Sequence, residues 1–143
     1  MKRFLLDTNI LIELLRGNKI TIEALSHAGI DNCVMSDISL FELLYGAECS
    51  TRREESIQQV KALAQNFVIL SSSESFPLAA AEKARMRHEG ILIPDLDILI
   101  ACTAAGNDCI LVTNDTRHMS RIRDLQLQDW TQLSNQKSDF PSR

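Results

Sequence analysis

Four acidic side chains stand where a protein rarely leaves an acid without a partner. Asp7 follows the apolar run Phe4-Leu5-Leu6. Glu42 sits inside Ser39-Leu40-Phe41-Glu42-Leu43-Leu44-Tyr45. Asp97 lies in Pro94-Asp95-Leu96-Asp97-Ile98-Leu99-Ile100-Ala101, and Asp115 follows Ile110-Leu111-Val112-Thr113-Asn114. Charged groups are almost never buried without a counter-charge or a metal. No lysine or arginine lies at helical spacing beside Glu42 or Asp97. Each acid also has a local use open to it: Asp7, Asp95 or Asp97 as helix caps, Asp115 in an Asx-turn. A mid-helix glutamate needs no cap, so that alternative is weakest for Glu42. If the four converge, the physics is restrictive. Two unit charges ~4 Å apart repel by roughly 4 kcal/mol at an effective dielectric near 20, so four carboxylates in one pocket require a cation. Hard oxygen ligands select Mg²⁺ or Mn²⁺ over zinc, and carboxylate-held divalent ions are a device for phosphodiester hydrolysis.

The elements that must position these acids are legible in the pattern. Short apolar runs at 3–6, 33–35, 67–70, 109–112 and 125–128 read as strands. Between them, helical spacing predicts helices over 10–15, 21–28, 38–49, 51–64, 74–89 and 97–105, with a short helical turn at 118–121. Thr8 and Asn9 are expected to cap the first helix, and Gly106-Asn107 to close the sixth. The alternation predicts an α/β fold, a three-layer α/β/α sandwich around a central parallel sheet of four to five strands. In such sheets ligands gather outside the carboxyl ends of the strands, where strand order reverses. Asp7 and Asp115 both belong at that edge, on neighbouring strands if the order reverses between them. Residues 1–134 are expected to form one domain and the polar stretch 135–143 a tail.

Composition sets the outer bounds. The chain has 143 residues, 45% hydrophobic and 24% charged, which excludes a fibrous or disordered chain. Cys33, Cys49, Cys102 and Cys109 show neither a Cys-x-x-Cys pair nor zinc-ligand spacing; buried free thiols in a reducing compartment are the expectation. Asp7, Asn9 and Glu13 interrupt the apolar N-terminus, which argues against a signal peptide, and no run reaches membrane-spanning length. A cytoplasmic location without membrane partners is expected. Fifteen basic residues against nineteen acidic give a net charge of −4, which taken alone argues against a basic nucleic-acid binder.

The strings LLDTNILI, SLFELLYGAE, PDLDILIACTA, LVTNDTRHM and RIRDLQLQDW together resemble the motifs of PIN-domain ribonucleases, and most of all the VapC-type toxins of type II toxin–antitoxin pairs. The likeness spans about residues 3–131. It implies a PIN-like fold and a Mg²⁺- or Mn²⁺-dependent endoribonuclease that leaves 5′-phosphate and 3′-hydroxyl ends. It carries the metal-binding, catalytic acids onto Asp7, Glu42, Asp97 and Asp115. Alignment on the ILIA segment selects Asp97 over Asp95. Thr8, Asn9, Asp95, Thr113 and Asn114 then support the acids by hydrogen bonding. Arg85, Arg87, Arg117, Arg121 and Arg123 are candidate RNA contacts, since phosphate contacts position a strand. His118 lies near Asp115, whereas His27, His88 and Cys102 read as structural. The resemblance also implies an RNA substrate (a transfer RNA), a cognate VapB-type antitoxin and a homodimer, with Phe41, Tyr45, Leu11 and Leu14 as apolar candidates for either protein surface. Two alternatives remain: an RNA-processing PIN nuclease outside any toxin–antitoxin pair, and a non-catalytic PIN module binding RNA or protein. A receiver domain would need an acidic pair after the first strand, and a haloacid-dehalogenase-like phosphatase an acid where Asn9 stands. Setting the four acids aside leaves 15 acids against 15 bases. The excess charge then belongs to one pocket, and the acidic balance no longer counts against RNA.

Overall fold

A computed structural model of the chain describes residues 2–131; the expected tail lies outside them. Five strands form the sheet: β1 (Arg3–Leu6), β2 (Cys33–Ser36), β3 (Val68–Leu70), β4 (Cys109–Val112) and β5 (Leu127–Gln128). Their order is β3-β2-β1-β4-β5, with every pairing parallel. The expected three-layer α/β/α sandwich is therefore present. Strand order reverses between β1 and β4, where Arg3 to Leu6 pair in register with Cys109 to Val112.

Alternation along each strand feeds two separate cores. Phe4 and Leu6, Cys33 and Met35, and Val112 point to one face. There they meet α1 (Thr8–Leu15), α2 (Lys19–Ala28), α3 (Asp37–Glu48) and α4 (Arg53–Ala64) through Ile10, Leu11, Ala24, Leu43 and Val60. Leu5, Val34, Cys109 and Leu111 point to the other face. They meet α5 (Phe76–His88), α6 (Asp95–Gly106) and α7 (Thr116–Met119) through Ala79, Met86, Ile98, Ala101 and Met119. Trp130 closes the first core, its ring 5.7 Å from that of Phe4.

Three local expectations are corrected. The first helix is capped by Asp7 itself, whose backbone carbonyl accepts from Ile10 and Leu11 while its carboxylate accepts from the Thr8 N–H. Gly106 is the last residue of α6 rather than its cap; Asn107 follows it in that role. A Cβ at Gly106 would stand 2.9 Å from Ser75 Oγ, so the glycine allows a close approach of α6 to the turn before α5. Cys49 is exposed, while Cys33, Cys102 and Cys109 are the buried free thiols. Among the described residues no helix is long and apolar enough to cross a membrane.

Candidate active site

The β1–β4 reversal sets the site. The Asp7 N–H donates to the Val112 carbonyl at 2.9 Å, which extends the ladder one step past both strands. Asp7 thus leaves the sheet beside the 113–115 segment. Its carboxylate is 3% exposed. Oδ1 accepts from the Thr8 N–H at 2.8 Å and Oδ2 from the buried Thr113 hydroxyl at 2.9 Å. Asn9 braces the junction from the side: Nδ2 lies 3.4 Å from Asp7 Oδ2 and 3.3 Å from Thr113 Oγ1, and Oδ1 accepts from the Asn114 N–H at 3.2 Å. Thr113 Oγ1 accepts in turn from the Asp115 N–H at 3.0 Å.

Glu42 arrives from α3. The Thr8 hydroxyl donates to Glu42 Oε1 at 2.6 Å and lies 2.9 Å from Ser39 Oγ. Ser39 is fully buried and belongs to the site, although nothing in its residue type announced it. Its one signal is position, one helical turn before Glu42 on the same face. Asp97 arrives on the first turn of α6, half-buried. Asp115 precedes α7, and its Oδ2 lies 3.1 Å from His118 Nδ1.

The four acids are near enough to feel one another. Burial pushes the Asp7 carboxyl up to about 6; the hydrogen bonds from Thr113 and Thr8 oppose this, and the charges of Asp97 and Glu42 add to it. Burial also pushes Asp97 up, reinforced by Glu42 and Asp115 and opposed by His118. Among the described residues no lysine or arginine forms an ion pair with Asp7, Glu42 or Asp97. Nor does any group of three or more His, Cys, Asp or Glu side chains close into a preformed cation cage. The carboxylates thus share an electrostatic field without closing on one point. The donor set is all oxygen and uncompensated, which fits a hard divalent cation.

Other predicted residues are distributed differently. Asp95 is exposed and turns to Lys83, with Oδ1 2.8 Å from Nζ, so it braces α6 against α5. Asp37, in the first turn of α3, accepts the Ser72 N–H at 3.1 Å. Arg117 and Arg121 are exposed, two and six residues past Asp115 in the chain, and Arg87 is exposed at the end of α5. Arg85 is not a surface cation: it binds Glu82 and Glu89, with only 19% of its side chain exposed. Its guanidinium is committed to two acids of its own helix, unlike the free surface cation the sequence suggested. Arg123 gives its Nε to Glu82 at 2.8 Å. Leu11 is core, whereas Phe41 and Tyr45 are 62% and 65% exposed on α3.

Comparison with known proteins agrees with this geometry. The PIN domain model matches residues 4–125. Ribonuclease VapC1 of Haemophilus influenzae is 36% identical over 131 residues, covering 90% of this chain and 98% of that protein. The tRNA(fMet)-specific endonuclease VapC of Shigella flexneri is 26% identical, covering 92% of this chain and all of its own length. The crystal structure of DNA-bound VapBC from Salmonella typhimurium superposes with a TM-score of 0.85 at 26% identity, over 91% of this chain and 99% of that one. With the acids at the carboxyl end of a 3-2-1-4-5 parallel sheet and a match over most of its length, the chain belongs to the PIN domain family, among the VapC ribonucleases.

Proposed function

We propose that this protein is a divalent-metal-dependent endoribonuclease toxin that hydrolyses RNA phosphodiester bonds, with transfer RNA as substrate, to 5′-phosphate and 3′-hydroxyl ends. The observation that carries the reading is a set of four carboxylates at the sheet's switch point with, among the described residues, no lysine or arginine ion-paired to Asp7, Glu42 or Asp97. Asp7, Glu42, Asp97 and Asp115 hold Mg²⁺ or Mn²⁺ in this reading. When bound, such an ion supplies Lewis-acid chemistry: it makes water more acidic and offsets negative charge at the scissile phosphate.

The chain's own residues prepare that chemistry. Thr8 fixes two acids at once, its N–H on Asp7 and its hydroxyl on Glu42. Thr113 fixes two more points, its hydroxyl donating to Asp7 and accepting from the Asp115 N–H. Carboxylates oriented before a cation arrives lose little freedom on binding it, as preorganised ligands do. Arg117 and Arg121, exposed shortly after Asp115 in the chain, supply positive charge for RNA phosphates in this reading. Hydrolysis breaks the bond from phosphorus to the 3′ oxygen and forms a bond from water oxygen to phosphorus. One water proton ends on the 3′ oxygen.

The relatives' names support the substrate class and the partner. A cognate VapB-type antitoxin is proposed from the VapBC assembly of the Salmonella relative. A groove of about 550 Å³ between α1, α3 and α4 runs up to Glu42 and is lined by Ile12, Leu15, Leu43 and Val60; it offers an apolar seat beside the acids. A homodimer is proposed on the exposed α3 aromatics Phe41 and Tyr45. The test is cleavage of purified transfer RNA with Mg²⁺ or Mn²⁺ and with a chelator. Cleavage that the chelator abolishes and either ion restores is expected; undiminished cleavage in the chelator would sink the metal-dependent reading.

A further inference from the structure

Glu82 is a second buried acid, on α5 and apart from the cluster, 2% exposed. Its company is the opposite of that of Asp7. Oε1 accepts from Arg85 Nε at 3.1 Å and Arg123 Nε at 2.8 Å. Oε2 accepts from Arg85 Nη2 at 2.8 Å and from the backbone N–H of Arg123 at 3.1 Å. Arg85 Nη2 also donates to the backbone carbonyl of Arg121 at 2.8 Å, and Nη1 is held by Glu89 at 2.6 Å. Two residues one turn apart on α5 therefore grip segment 121–123 at a backbone N–H, a backbone carbonyl and a side chain. Between the grips, Ile122 is buried in the same core as Met86 and Met119.

A salt bridge that served only to hold α5 together would not reach across to two backbone groups of another segment. The segment it reaches follows α7 directly. It carries Arg121, and α7 carries Arg117, two exposed cations that follow Asp115 within six residues of chain. Asp115, at the other end of α7, has an independent anchor on Thr113. The grip thus governs the cations and not the acids.

We propose that Glu82 and Arg85 are positioning residues that clamp segment 121–123 and thereby hold Arg117 and Arg121 in register against the RNA strand. This rests on the ribonuclease reading above. Arg123 belongs to the clamp, since its Nε is committed to Glu82. The Arg85 guanidinium first, then the bonds from Arg123, hold the Glu82 carboxyl down to about 2 despite burial, so the clamp stays charged throughout the neutral range.

The decisive variant removes both charges together. Replacing a buried ion pair by apolar residues of similar size is often neutral for stability, and the charges left behind on Arg123 and Glu89 are 62% and 54% exposed and can turn to water, so E82L/R85M is expected to keep the fold while releasing the segment. Two readouts are needed: steady-state kinetics on RNA with the divalent ion present, and amide hydrogen exchange of the metal-free protein. Expected is a KM raised roughly five- to tenfold with kcat within about twofold, the mark of lost substrate positioning rather than lost chemistry. Exchange over 116–124 should quicken at least tenfold while β1 and β4 stay protected. An unchanged KM in the folded double variant overturns the proposal, as does unchanged exchange over 116–124. A wild-type protein that cleaves no RNA removes the ribonuclease reading instead, and the exchange result still decides whether the clamp holds the segment.

Discussion

Among the described residues two carboxylates are buried, and they face opposite electrostatic fates. Asp7, at the end of β1, has hydrogen-bond donors but no cation paired to it within that set, and its carboxyl is pushed up to about 6. Glu82, on α5, has two guanidinium groups and a backbone N–H, and its carboxyl is pulled down to about 2. Burial is the same to within a few per cent, so burial does not distinguish them. The difference is the partner. A structural acid carries its counter-charge inside the protein, whereas in the function proposed above the acids at the sheet edge take theirs from a bound cation. Functional sites concentrate this kind of unpaid perturbation.

Three substitutions break or sharpen the contrast. The largest effect is expected at Asp97, whose carboxylate has no structural cation to lose. Asp97→Asn should lower RNA cleavage by about a thousandfold or more, on the order of 4 kcal/mol of transition-state stabilisation, with the circular-dichroism spectrum unchanged. Activity near wild type in that variant would take Asp97 out of the site.

Next is Glu82→Gln, which leaves Arg85 without its main partner. A cost of roughly 3–4 kcal/mol is expected in denaturant unfolding near neutral pH. Because the folded carboxyl is depressed below its ordinary value of 4.5, its contribution is full above that value. The difference between variant and wild type should shrink as pH falls from 4.5 and vanish below about 2.

Asp7→Asn should do the reverse. The folded carboxyl lies above its ordinary value of 3.8, so ionised Asp7 burdens the metal-free fold at every pH above about 6, and protonation relieves that burden between 6 and 3.8. The amide removes the burden while keeping a polar group at the cap. A gain of up to roughly 3 kcal/mol is expected at pH 7.5 without divalent ions, shrinking to nothing near pH 4. Destabilisation at pH 7.5 would show that Asp7 is a structural acid like Glu82 and collapse the contrast.

The contrast also explains what the sequence could and could not reveal. Strand and helix order was legible because both faces of the central strands β2, β1 and β4 are covered, so these read as short apolar runs and the helices as periodic ones. Glu42 and Asp97 stood out because each interrupts an apolar helical run with no lysine or arginine at helical spacing, and Asp7 and Asp115 because each follows the end of an apolar strand run. Glu82 was not: in Ala80-Ala81-Glu82-Lys83-Ala84-Arg85 it reads as part of a solvated helix face. Its decisive partner Arg123 lies 41 residues away, a separation local pattern does not report. Arg85 was misread for the same reason, since a surface cation and a buried one look alike until the neighbouring segment is placed. Ser39 was invisible because a hydroxyl gains its meaning only from Thr8 beside it. Asp95 and Asp97, two residues apart, were separated by the turn of the helix: one faces Lys83, the other the acids.

The pairing of β1 with β4 has a consequence for how the chain comes into being. The strand that carries Asp7 is made well before residues 109–112, its partner on one side. Contacts of such long sequence separation form late, because loop closure must precede them. A chain emerging from the ribosome can pair β1 with β2, yet Asp7 has neither Val112 nor Thr113 to hold it until those residues, more than a hundred positions further on, have been made. A fragment that stops before β4 therefore lacks both the groups that hold Asp7 in place and the Asp115 carboxylate beside it.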